Sequence, residues 1–64
     1  MRGTVTSFDK RVGLGEITAL DGSVVPFHCI AIADGTRDIR LGAAVEFELL
    51  PKLGRYEANH IVGA

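Results

Sequence analysis

The 64-residue sequence predicts an all-β fold: one small domain, residues 1–64, built as a five-stranded antiparallel barrel. Three observations carry the prediction. Turn signals made of Gly, Asp and Pro recur at short, regular intervals, as they do when several short strands follow one another. The segment Ala43–Leu50 alternates, with Val45, Phe47 and Leu49 facing in and Glu46 and Glu48 facing out, which is the period-two pattern of a half-buried strand. No long amphipathic helix interrupts the chain, and five strands in this length fit a barrel that leaves little exposed edge.

The elements follow in order. Arg2–Phe8 forms the first strand, centred on the β-branched Thr4, Val5 and Thr6. Asp9-Lys10-Arg11-Val12 turns the chain into Gly13–Leu20, whose early glycines, Gly13 and Gly15, mark a barrel corner where a strand bends hard or another backbone comes close. Leu20-Asp21-Gly22 is the sharpest turn, and its length decides the register. A two-residue turn pairs Leu20 with Ser23 and puts Glu16 and Phe27 on one face, so that an acid is buried or an aromatic exposed. A three-residue loop, with Gly22 in the left-handed conformation, pairs Ala19 with Ser23 instead. Ile17 then faces Val25 and Gly15 faces Phe27 inside, while Glu16–Pro26 and Leu14–His28 lie outside. A one-residue slip flips every side chain, so the better separation of polar from apolar residues selects the three-residue loop.

Val24–His28 is the third strand, with Pro26 placed where its donor-less nitrogen points away from a partner. Cys29–Ala33 is short and apolar, enough for one helical turn, and ends at Asp34-Gly35; Thr36–Leu41 is a loop. After the alternating fourth strand, Pro51-Lys52-Leu53-Gly54 turns into a last strand, Arg55–Val62. Val5, Ile17, Val25, Phe27, Val45 and Phe47 are expected to converge on one core.

Composition narrows the function. A domain of this size buries only roughly 60% of the surface its unfolded chain exposes, so modest stability is expected. The single cysteine, Cys29, forms no internal disulfide and suits a reducing compartment. No apolar run approaches the roughly 20 residues that span a bilayer, and Met1-Arg2-Gly3 does not begin a signal peptide, so a cytoplasmic protein without membrane contact is expected. Seven Lys and Arg face eight Asp and Glu, a net charge of −1. That balance disfavours binding dominated by phosphate neutralisation but leaves base stacking open, since stacking needs only a modest local positive field.

No catalytic or metal-binding constellation stands out. His28 and Cys29 are neighbours on a strand and point to opposite faces. No further cysteine or well-placed carboxylate completes a zinc site, so Cys29 is assigned to packing. His60 stands alone and is assigned to packing too. Gly13-x-Gly15 is followed by no helix and is not a nucleotide loop. Nothing brings together a nucleophile, a base and an oxyanion donor; the expectation is a cofactor-free, metal-free protein that is not an enzyme.

Taken together, the motifs resemble the bacterial cold-shock domain, an OB-fold barrel. Its opening pattern, M-x-G-x-V-K-W-F-N, is similar to Met1-Arg2-Gly3-Thr4-Val5-Thr6-Ser7-Phe8-Asp9. Its first nucleic-acid motif, K-G-F-G-F-I, is similar to Val12-Gly13-Leu14-Gly15-Glu16-Ile17, and its second, V-F-V-H-F-S-A-I, to Val25–Ile32. L-x-x-G-x-x-V-x-F resembles Ile39–Phe47, and G-x-x-A has a longer echo in Gly54–Ala58. The resemblance spans essentially the whole chain and implies a domain whose outward aromatics stack bases of single-stranded RNA or DNA.

Carried over residue by residue, that site becomes Thr6, Ser7, Phe8, Lys10, Arg11, Leu14, Glu16, Pro26 and His28. The family's tryptophan is Ser7 here, its first-motif phenylalanines are Leu14 and Glu16, and its second-motif phenylalanines are Pro26 and Cys29. Only Phe8 and His28 keep a ring, and two of the family's lysines are Thr6 and Val12. Stacking is worth about 1–3 kcal/mol per base. Five lost contacts at about 1 kcal/mol each cost on the order of a thousandfold in affinity. Phe8, Leu14 and His28 are read as a reduced stacking platform or as a patch that seals the barrel. Lys10 and Arg11 are read as phosphate contacts or as solvated loop charges. Arg37, Arg40 and Arg55 are read as an extension of a positive path or, with Asp38 and Glu57 between them, as solvated charges. Two functions follow: weak or altered binding of single-stranded nucleic acid, and an OB-fold module that has turned the same face to a protein partner.

Overall fold

The computed structural model describes every residue, Met1–Ala64. Five strands form one antiparallel sheet: β1 (Arg2–Asp9), β2 (Leu14–Ala19), β3 (Val24–His28), β4 (Ala44–Lys52) and β5 (Arg55–Gly63), in the order β3-β2-β1-β4-β5. A single 3-10 turn, Cys29–Ala31, follows β3. The sheet curls into a barrel without a hydrogen-bonded ladder between β3 and β5. The gap is spanned instead by a parallel bridge between Ile32 and Ile61, in which the Ala33 N–H donates to the Ile61 carbonyl at 2.9 Å.

The three-residue loop sets the register as expected. The Ala19 N–H donates to the Ser23 carbonyl at 2.8 Å, and Gly22 has φ +91°. Across β2 and β3, Ile17 pairs with Val25, Gly15 with Phe27, Glu16 with Pro26 and Leu14 with His28. Val5, Ile17, Val25, Phe27, Val45 and Phe47 are all buried in one cluster, completed by Ala19, Ile32, Ala58 and Ile61. Gly15 is required where it stands: a Cβ there would lie 2.6 Å from the Phe27 ring and 2.6 Å from the Ser7 carbonyl oxygen.

Two expectations need correction. Leu49 was expected to face in by alternation, yet it is exposed. The β1–β4 ladder covers only Ala44–Glu46, and Met1 exchanges the next backbone bonds with Phe47. Beyond Phe47, β4 has only β5 beside it, so Leu49 keeps its face but has little above it. His60 is not a packing residue: it is exposed, with φ +50°. The β4–β5 register shifts between Glu46 and Glu48, so β5 carries an extra residue opposite Phe47, and His60 adopts the left-handed conformation that such a bulge demands. Glu57, for which the sequence carries no burial signal, is the one buried charged residue, because β5 passes close to β3 where the barrel closes.

Candidate nucleic-acid interface

The outward face of β1–β3 is positioned by a bulge. In a regular strand Val5 and Ser7 would share a face. Here the β1–β2 register shifts between them: Val5 pairs with Ile17 inside, while Ser7 pairs with Glu16 outside. The extra residue is Thr6, whose hydroxyl sits 3.0 Å from that of Thr18. Past the bulge, Phe8 pairs with Gly15 and turns inward.

Two cross-strand rows result. Ser7, Glu16 and Pro26 form the first, and Asp9, Leu14 and His28 the second. Between them opens a cleft of ≈ 440 Å³. Ser7, Leu14, Glu16, Pro26 and His28 line it, Gly15 and Phe27 form its floor, and Arg55 and Glu57 of β5 form its far rim. Five of the nine residues expected at the site thus come together around one concavity.

The other four lie elsewhere. Phe8 is half-buried, its ring stacked on Phe27 with centroids 5.8 Å apart and planes 9° apart. One of its two faces is therefore occupied from inside the barrel, and it does not join Leu14 and His28 in an outward platform. Thr6 lies on the outward surface outside the cleft, its hydroxyl bonded to that of Thr18 and donating to the Glu16 carbonyl. Lys10 is paired with Asp38 at 3.1 Å, both side chains exposed. Arg11 is exposed in the turn after β1 and has no carboxylate partner; its backbone N–H donates to Asp9 Oδ1 at 3.0 Å. Cys29 is half-buried against Gly13, where an added Cβ would come 2.8 Å from its Sγ.

Sequence reasoning offered Arg55 as part of a positive path but did not pair it with Glu57. Arg55 donates to Glu57 at 2.8 Å, with the arginine side chain 61% exposed and the glutamate 11%. A buried carboxylate needs such a partner, because an unpaired one is costly. The one signal in the sequence is the i, i+2 spacing, which puts both residues on one side of a strand.

Electrostatically the face is mixed. Asp9 and Glu16 are exposed on it, and Arg55 is the only Lys or Arg lining the cleft. The two carboxyls held below their ordinary range lie away from it. Asp21 is lowered first by the Ser23 hydroxyl and then by the Ser23 N–H; Asp34 is lowered first by the Thr36 N–H and then by its hydroxyl. No three His, Cys, Asp or Glu side chains form a group that would hold a metal ion, and no helix is long and apolar enough to cross a membrane. The arrangement is a shallow concavity with one exposed ring, His28, and the charges of Glu16, Arg55 and Glu57 on its lining.

Compared with known families, residues 1–64 match the model described as the ‘cold-shock’ DNA-binding domain. No curated protein matches the chain.

Proposed function

We propose, on the premise that this chain belongs to the ‘cold-shock’ DNA-binding domain family, that it binds single-stranded RNA or DNA weakly across the outward face of β1–β3. The observation that carries this reading is the cleft itself. Ser7, Leu14, Glu16, Pro26 and His28, the positions matched to the family's base-stacking face, surround one concavity. His28 supplies the ring, Leu14 and Pro26 supply apolar contact, and Arg11 supplies the free cation beside the first turn. Glu16 repels phosphate, and Ser7 offers no surface to stack on.

Affinity in the micromolar range or looser follows from so few stacking surfaces. A shallow salt dependence follows from so few cations, since the slope counts phosphates neutralised. Titrating labelled oligo-dT and oligo-U at low and physiological salt tests both. Nanomolar affinity at physiological salt contradicts the account. Exposed Asp9 and Glu16 on the same face favour a second reading, a protein-docking module, which absence of binding at low salt would select.

A further inference from the structure

Glu57 is the one charged side chain withdrawn from solvent, and it holds the one cation on the rim of the cleft. We infer that Glu57 is an internal competitor for nucleic-acid phosphate: it occupies Arg55, and so sets the affinity of the cleft. The inference rests on the nucleic-acid reading and names the residue that tunes it.

The physical case has three steps. A strand lying over Leu14, Pro26 and His28 brings its phosphates to the rim, where Arg55 is the only Lys or Arg among the lining residues. Arginine matches phosphate oxygens and carboxylate oxygens with the same fork of donors, so one guanidinium serves either partner. Releasing Glu57 is then expensive, because a carboxylate this withdrawn from water loses its only ionic partner. Binding energy gained at the phosphate is offset by the cost of the orphaned carboxylate. Glu16 differs in kind: it is exposed and unpaired, and it opposes phosphate only through its charge.

Glu57→Gln keeps the shape and a hydrogen-bonding oxygen while removing the anion. The variant is expected to bind oligo-dT severalfold more tightly at low salt. Its plot of log affinity against log salt is expected to steepen by about 0.7, the value for one additional phosphate contact on a single strand. The gain therefore shrinks about 2.6-fold as salt rises fourfold. A double-mutant cycle isolates the mechanism. In an Arg55→Gln background the added slope of about 0.7 disappears if Glu57 acts through Arg55, and Glu57→Gln keeps only the gain that removing a bare anion gives. Glu16→Gln, the same charge change at an unpaired site, keeps its gain in that background.

A slope increase for Glu57→Gln that persists without Arg55, or no increase in the parent background, overturns the inference and leaves the parent's own oligo-dT binding intact. Absence of binding by parent and variant alike overturns the nucleic-acid reading and the inference with it. If Glu57→Gln fails to fold, Arg55→Gln alone decides: its salt slope equals the parent's if Glu57 keeps Arg55 from phosphate, and a slope shallower by about 0.7 contradicts it.

Discussion

The inner and outer faces of β1–β3 are made by alternate residues of the same strands, yet they hold to the family pattern to very different degrees. Inside, Val5, Ile17, Val25 and Phe27 pack with Gly15 into a continuous core. Outside, Ser7, Leu14, Glu16 and Pro26 replace a surface that the family builds from aromatic rings. The strand period of two makes this separation possible, because successive side chains never share a neighbourhood. An outward substitution changes what the face can hold without opening a cavity in the barrel, whereas an inward one disturbs packing at once. Fold and binding chemistry are therefore nearly independent variables in this molecule, and they meet only where Gly15 and Phe27 form both the core and the floor of the cleft.

The largest expected effect lies on the inside. Phe27→Ala removes a ring that is 1% exposed and leaves Phe8 without its stacking partner. Truncations of this kind cost about 3–5 kcal/mol, a large share of what so small a domain has, so thermal or urea denaturation is expected to find the variant largely unfolded. A well-folded Phe27→Ala protein would break the distinction between the faces.

Next in size is the reverse change outside. Ser7→Trp, Leu14→Phe and Glu16→Phe together restore three adjacent surfaces, with Ser7 and Glu16 directly paired across β1 and β2. At about 1–3 kcal/mol per stacked base, oligo-dT affinity is expected to rise at least tenfold while the melting temperature changes little. A sharp fall in melting temperature would place these residues inside and refute the register.

A smaller effect tests a site belonging to neither face. His60 holds φ +50° at the β5 bulge. Glycine adopts that conformation without the cost of roughly 1–2 kcal/mol borne by a residue with a Cβ. His60→Gly is expected to raise stability by about 1 kcal/mol with oligo-dT binding unchanged; a destabilised variant would assign the imidazole a packing role after all.

The smallest effect is at acid pH. The folded Asp21 and Asp34 carboxyls titrate below 3.8, so each contributes stability that is present above that value and lost as pH falls through the lower folded one. Asp21→Asn with Asp34→Asn is expected to flatten the acid limb of the stability profile below pH 3.8 and to leave the neutral region's shape unaltered. An unchanged acid limb would show that these turn bonds are as strong in the unfolded chain.

What was legible in the sequence follows the same division. The β2–β3 pairing was readable because Gly22 fixes a loop type and only one register keeps Glu16 and Phe27 apart. Six of the ten core residues were readable from alternation and that register, while Ala19, Ile32, Ala58 and Ile61 were not. The bulge at Thr6 was not, since no glycine marks it. Without that bulge Val5 and Ser7 share a face, so the inward turn of Phe8 had no signal. The bulge at His60 was hidden for the same reason. Alternation correctly assigned a face to Leu49 but carries no information about where the neighbouring strand stops. Glu57 is buried by the approach of β5 to β3, a contact between residues distant in sequence, and nothing local to Arg55–Glu57 distinguishes a rim pair from a solvated one.

The central claim is that single-stranded nucleic acid lies on the outward face of β1–β3. Backbone amide shifts of the labelled protein, followed during titration with a short oligo-dT at low salt, test it most directly. Shifts are expected to concentrate at Ser7, Leu14, Glu16, His28 and Arg55 and to be minimal at Asp21, Asp34 and Leu49. No shifts at saturating oligonucleotide, or shifts centred away from the cleft, would contradict it.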